Sequence, residues 1–263
     1  MDQSHHHHRA YTVFTRLAIV TFLAAISAWA NYEATKALDI SISIEDPLSF
    51  SGHRFHQLLA SDDRAIRIAL EASNFACRIL SSDKPVSHVT IQLSSLDMAH
   101  NEFIVRRDST EGHDYTIVVN PLVMGVADPV RAVRAIMHRA MAWVWVWDGF
   151  GQAPQSLLAG IAEYVGIAAG FGPDPEPEAS WLSVATHRTC WQAYPSGTMA
   201  SFLRYIEQLR PGFIALLNDK LRHVWHDGML DETLGMETGS SSQQLCSSFM
   251  HQLNNSSSAT FVM

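Results

Sequence analysis

The alternation of apolar and polar residues predicts strands in the first half of the chain and helices in the second. Residues 37–44 (ALDISISI) alternate with a period of two, which is typical of a half-buried strand. Runs rich in β-branched residues at 89–93 and 115–119, with a shorter run at 102–105, predict three more strands. Apolar residues at helical spacing predict helices over residues 62–80, 128–147, 157–170, 198–209 and 213–225. This order, strands first and helices afterwards, predicts a single α+β domain.

The predicted helix 128–147 has a clear beginning and an ambiguous end. Asp128 and Pro129 form a good N-cap and first-turn pair. The segment 143–147 (WVWVW) alternates as a strand would, yet no helix breaker precedes Asp148-Gly149. The sequence therefore favours a helix that continues to Trp147.

Composition excludes two classes of protein. The chain has 263 residues, of which 47% are hydrophobic and 17% charged, so it can bury a large core and is not disordered throughout. Its formal net charge of −8 gives no broad cationic field, which excludes general binding of nucleic acid. Cys77, Cys190 and Cys246 allow at most one disulfide, and their spacing does not choose the pair.

The first 30 residues read as a targeting segment. Residues 17–30 carry no charge, Arg9 and Arg16 precede them, and Ala28-Trp29-Ala30 resembles a signal-peptidase site. We predict a cleaved signal peptide over residues 1–30 and a secreted, extracellular protein. One alternative is a retained signal-anchor, the one reading that gives the protein a membrane partner. The apolar run is, however, shorter than the roughly 20 residues of a membrane span. The other alternative is a buried helix.

The last residues differ in composition from the rest of the chain. Beyond Glu237 no Asp, Glu, Lys or Arg occurs and serine dominates, which predicts a flexible tail over residues 237–263 and a folded domain over 31–236. Asn254 and Asn255 each begin an Asn-x-Ser sequon, which is usable only in the secretory pathway.

Two neighbouring segments carry a resemblance to a known family. Residues 143–154 (WVWVWDGFGQAP) and 157–165 (LLAGIAEYV) resemble the motifs H-E-M-T-H-x-W-Q-W, G-x-G-x-x-P and L-I-E-G-I-A-D-Y-V-R of the basic secretory protein family. The likeness continues at 169–173 (AGFGP), 200–205 (ASFLRY) and 212–218 (GFIALLN). It covers residues 40–234, more weakly at both ends. The family occurs in plants, fungi and bacteria and is classed among zinc metallopeptidases.

The resemblance implies a zincin-like fold, with a small mixed or antiparallel sheet, a helical subdomain and a cleft between them. In an H-E-x-x-H helix both histidines bind zinc and the glutamate acts as the general base. Carried over to this chain, the first histidine falls on His138, the glutamate on Arg139 and the second histidine on Ala142. The third ligand falls on Ala159. The acidic residue that would orient the first histidine is kept as Glu163.

This substitution pattern predicts that the zinc site is lost and that no cofactor is bound. Catalytic zinc requires about three protein ligands, and only His138 remains of them. Arg139 adds a cation and cannot act as a base, because its pKa lies above 12. Two hypotheses for Glu163 stay open: it forms an ion pair with Arg139, or it holds His138.

The predicted function is that of a pseudo-metallopeptidase of the secretory pathway. Such a protein would bind a peptide, a protein or a cell-wall component without catalysis. We therefore predict no catalytic residue in this chain. Two alternatives are an active hydrolase with a rebuilt site and a structural, membrane-anchored surface protein.

Overall fold

The computed structural model describes residues 19–22, 38–96, 98, 101–108, 113–172, 195–235 and 242–259, with side chains of the last helix as far as His251. The chain divides into two units, residues 1–39 and residues 40–263. Of the first unit only residues 19–22, which are helical, and 38–39 are described, so the signal-peptide prediction lies outside the described residues. None of the described helices has the length and apolar character needed to span a bilayer.

Four strands form one mixed sheet. They are β1 (Asp39–Ile44), β2 (His88–Leu93), β3 (Phe103–Arg107) and β4 (Asp114–Val119), in the order β1-β2-β4-β3. β2 and β4 run parallel, with Ile91 opposite Ile117, whereas β3 runs antiparallel to β4 and forms an edge of the sheet. All four predicted strands and the α+β class are confirmed. The zincin-like detail stays a prediction.

The described helices supply most of the buried core. They are α1 (Phe50–Phe55), which continues as a π-helical turn (His56–Ala60), α2 (Arg64–Leu80), a 3-10 helix (Pro121–Gly125), α3 (Pro129–Trp145), α4 (Gln155–Ala168), α5 (Ser196–Leu209), α6 (Phe213–Lys220), α7 (Met229–Leu234) and α8 (Ser242–Ala259). The five predicted helices are all present. α1, the π-helical turn and α2, the helix predicted over residues 62–80, all lie between β1 and β2, so the order is not strictly strands first and helices afterwards.

Helix α6 ends five residues before its predicted end. Beyond Lys220 the backbone forms tight turns, and the Leu221 carbonyl accepts a hydrogen bond from Gly149 N–H at 3.0 Å. Gly149 also accepts one from Trp225 N–H at 3.4 Å. The prediction to Trp225 was wrong because this loop takes the backbone groups that a longer helix would need.

Helix α3 is the central helix, packed against α2 and α4. Asp128 caps its beginning, because its carboxylate accepts a hydrogen bond from Arg131 N–H at 2.9 Å. At the other end Ser82 Oγ donates to the Trp145 carbonyl at 2.8 Å and Lys84 Nζ donates to the Val146 carbonyl at 2.7 Å. These two side chains satisfy carbonyl groups that the end of a helix leaves unpaired.

Part of the predicted Ser-rich tail forms a helix. Residues 242–259 form helix α8, and its side chains Cys246 and Phe249 are buried. The Phe249 ring lies 5.5 Å from that of Phe202 and 5.6 Å from that of Tyr205. A few apolar residues at helical spacing are sufficient to dock this part on α5, and the flexibility of the tail stays a prediction. Cys246 is disulfide-bonded and Cys77 is a free thiol, whereas Cys190 lies outside the described residues.

The burial of Lys84 leads us to predict an unusual dependence of the protein's stability on pH. The side chain is buried against the rings of Tyr115 and Trp147, and burial together with the nearby Arg107 cation lowers its pKa to about 8, although Asp148 acts in the opposite direction. Between pH 8 and the unfolded pKa of 10.5, the folded state therefore binds fewer protons than the unfolded state. Stability contributed by this group must rise with pH across that window.

We expect the free energy of unfolding of the native protein, relative to Lys84→Met, to rise by about 2 kcal/mol between pH 8 and pH 10. Urea denaturation of both proteins at each pH measures this difference, in which contributions of other titrating groups cancel. Lys220→Met, which removes a more exposed lysine, is the matched control. A difference that falls with pH would contradict the assignment.

Candidate functional site

Arg139 projects from α3 toward the edge strand of the sheet. Its Nη2 donates a hydrogen bond at 2.5 Å to Oε2 of Glu102, the residue before β3. Its guanidinium carbon lies 5.6 Å from the ring centre of Phe103, the first residue of β3. The edge strand and the central helix are thus joined by an ion pair and a cation–π contact.

The same guanidinium faces α4. Nη1 of Arg139 lies 3.6 Å from Oε2 of Glu163, within ion-pair distance and slightly beyond a hydrogen bond. Gly166, three residues further along α4, leaves room for the arginine, because a Cβ there would lie 2.8 Å from Arg139 Cγ. The sequence hypothesis of an Arg139–Glu163 ion pair is confirmed.

The environment of this cluster strengthens its electrostatics. The Arg139 side chain is 21% exposed and that of Glu163 is 14% exposed, so water screens their attraction only in part. Glu102 is 62% exposed and contributes less. Nε of Arg139 is buried and has no hydrogen-bond partner. One guanidinium is therefore shared by two carboxylates.

His138 lies on a different side of α3. It is buried, its ring centre is 5.6 Å from that of Phe75 on α2, and it is 4.9 Å from that of Phe171 beyond α4. Its Nδ1–H donates to the Arg134 carbonyl at 2.9 Å, since a carbonyl oxygen can only accept. Neighbouring residues of an α-helix point about 100° apart, so His138 and Arg139 face different surroundings.

The structure therefore brings together only part of the predicted set. Arg139 and Glu163 meet, whereas His138 faces α2. Ala142 is fully buried and Ala159 is partly buried, and neither side chain has an atom that could bind a metal. Glu102 and Phe103 complete the cluster, but they are more than 30 residues away in sequence, so only the tertiary structure identifies them.

The family model described as BSP, "Peptidase of plants and bacteria", matches residues 35–249. The chain belongs to the basic secretory protein family. No curated protein and no solved structure gives a significant match. The match extends beyond the domain end predicted at residue 236 and includes the first half of α8.

The residues of this basic secretory protein do not fit the zinc ion that the resemblance implies. Of the five positions carried over, Arg139 is a cation, Ala142 and Ala159 have no ligand atoms, and His138 and Glu163 face different surroundings. Among the described residues, no group of three histidine, cysteine, aspartate or glutamate side chains is arranged to hold a metal ion.

Proposed function

We propose that this basic secretory protein is a pseudo-metallopeptidase: the zinc site of the peptidase family is lost, and the protein binds a peptide without cleaving it. The observation that supports this most is the contact of Arg139 with Glu163. A guanidinium occupies the position next to the carboxylate that a zinc-bound histidine would use.

We further propose that the first histidine of the family motif aligns with Arg139, one residue later than His138. Glu163 is expected to contact the residue that replaces the first histidine, and it contacts Arg139. In H-E-M-T-H-x-W-Q-W, methionine stands two residues after the first histidine, and tryptophans stand six and eight residues after it. Counted from Arg139, these positions are Met141, Trp145 and Trp147. Counted from His138, they are Ala140, Val144 and Val146.

The revised alignment also agrees with helix packing. Arg139 and residue 143 lie on one side of α3, one turn apart, and Ala159 and Glu163 lie one turn apart on α4. These two helices follow each other along the chain, joined by residues 146–154, and pack against each other, which fits an antiparallel pair. Residue 143 would then lie near Ala159. The ligand positions become Arg139, Trp143 and Ala159, and the base position becomes Ala140.

This alignment strengthens the proposed loss of the metal. No replacing side chain offers a nitrogen or oxygen lone pair to zinc, and Arg139 would repel a dication by several kcal/mol at an effective dielectric near 20. Alanine at position 140 cannot accept a proton from water.

A peptide is the ligand that the neighbouring strand favours. β3 pairs with β4 on one side and forms the edge of the sheet on the other, and its residues are partly or fully exposed. An extended peptide can add to such an edge through backbone hydrogen bonds. Arg139, Glu102 and Phe103 lie at the beginning of this edge, where they would contact the side chains of the peptide.

The experiment incubates the protein with a fluorescent peptide library in the presence of Zn²⁺ and, separately, of EDTA, and records cleavage and anisotropy together. We expect binding in both conditions, cleavage in neither, and at least about fivefold weaker binding for Arg139→Gln. Arg67→Gln, an exposed arginine of α2, is the matched control. Cleavage that EDTA abolishes and Zn²⁺ restores would overturn the proposal, and so would the absence of binding.

A further inference from the structure

A cavity of about 490 Å³ lies between α2 and α3, beside the end of α4. Its lining includes Glu71, Phe75, Arg78, Arg134, His138 and Phe171. The lining residues on α2, which also include Asn74, are spaced at i, i+3, i+4 and i+7, so they share one face of that helix. Arg134 and His138 are likewise one turn apart on α3. The volume is within the range of small-molecule sites.

The cavity contains a buried imidazole. His138 is 3% exposed, and its Nδ1–H is held by the Arg134 carbonyl. This bond orients the ring, and it leaves Nε2 as the nitrogen available to a ligand. The rings of Phe75 and Phe171 both contact the imidazole and both line the cavity, which makes this part of the lining aromatic.

Positive charge is concentrated around these rings, although the whole chain has a net charge of −8. The guanidinium of Arg78 stands 5.6 Å from the Phe75 ring centre, and that of Arg131 stands 5.8 Å from the Phe171 ring centre. Nε of Arg134 is buried without a hydrogen-bond partner. Among the described residues, none of these three arginines forms an ion pair with a carboxylate, and Glu71 is the one acidic residue that lines the cavity.

We infer that this cavity binds an aromatic amino-acid carboxylate, either as a free amino acid or as the C-terminal residue of a peptide. Arg78 and Arg134 bind the carboxylate, because guanidinium groups pair with it through charged hydrogen bonds. The aromatic side chain of the ligand packs on the partly exposed rings of Phe75 and Phe171 that line the cavity. The ligand nitrogen donates to Nε2 of His138 when it is acylated and pairs with Glu71 when it is a free ammonium. The inference does not depend on the proposed function, since the residues of the Arg139 cluster are not among those that line this cavity.

The test measures binding to the full chain by titration calorimetry, with four probes. L-Phenylalanine and N-acetyl-Gly-Gly-Phe represent the two sources of the ligand. N-acetylphenylalanine amide lacks the carboxylate, and N-acetylalanine lacks the ring. We expect at least one of the first two probes to bind one-to-one, and both controls to bind at least about tenfold more weakly than that probe. Tighter binding of L-phenylalanine would identify a free amino acid as the ligand, and tighter binding of N-acetyl-Gly-Gly-Phe would identify the C-terminal residue of a peptide.

Variants locate the site. Arg78→Gln, at an exposed position that the fold tolerates, and Arg134→Gln should each weaken binding about tenfold. Arg67→Gln, on the same helix but paired with Asp62, should leave it unchanged. In a ¹H–¹⁵N spectrum the Arg134 Nε–H signal should shift when the ligand binds. No binding at 10 mM probe, equal binding of the amide, or full affinity in both Gln variants would overturn the inference.

Discussion

We expect the triple variant Arg139→His, Trp143→His, Ala159→Glu to bind Zn²⁺ at least about a hundredfold more tightly than the native chain. It places two imidazoles one turn apart on α3 and a carboxylate on α4, with Glu163 in position to orient the first imidazole. Calorimetric titration with ZnCl₂ under a metal buffer measures the gain. No gain in a folded variant would contradict the alignment from Arg139.

A second triple variant tests the alternative alignment and serves as the matched control. Arg139→Glu, Ala142→His, Ala159→Glu keeps His138 as the first ligand. His138 is packed between Phe75 and Phe171, away from Glu163, so we expect no more than a small gain in zinc affinity. Tighter zinc binding by this variant than by the first would indicate that His138, and not Arg139, corresponds to the first histidine of the motif.

Asn218→Leu is expected to lower the free energy of unfolding by about 3 kcal/mol. Asn218 is buried, its Oδ1 accepts from Trp147 N–H at 2.9 Å, and its Nδ2 donates to the Leu80 carbonyl at 3.1 Å. It thereby joins the ends of α2 and α3. Leucine fills the space and leaves both backbone groups buried without partners, which costs about 1–3 kcal/mol for each group.

Thermal unfolding measures this effect, and a loss of 3 kcal/mol corresponds to a decrease in Tm of about 6–12 °C for a domain of this size. The neighbouring variant Asp219→Ala, at an exposed position, should change Tm by less than about 2 °C. An unchanged Tm in Asn218→Leu would show that these hydrogen bonds do not stabilise the helix ends.

The sequence predicts the fold where hydrophobic periodicity is strong. Helices α2 and α3 carry long apolar faces, and all four strands alternate or are β-branched, so their existence follows from local pattern. Local pattern does not reveal the end of α6, because the Leu221 carbonyl is taken by Gly149, which lies 72 residues earlier. It also does not reveal α8, whose polar composition gives little signal until Phe249 is seen against α5.

The site was predictable only to the level of the motif. The sequence identifies the segment around Arg139 and the carboxylate of Glu163, and the proposed shift of the motif by one residue changes which side of α3 is assigned to the site. The spacing of the tryptophans is the sequence signal that supports this shift. Glu102 and Phe103 carry no local signal, because their role arises when the edge strand packs beside α3.

Zinc titration of the native protein, purified without added metal, tests the central claim most directly. Because Arg139 contacts Glu163 at the position that the proposed alignment gives to the first zinc ligand, we predict binding weaker than about 0.1 mM and less than one equivalent of zinc by elemental analysis. One equivalent of zinc held with a Kd of about a nanomolar, at a site that Glu163→Gln weakens, would contradict the loss of the metal centre.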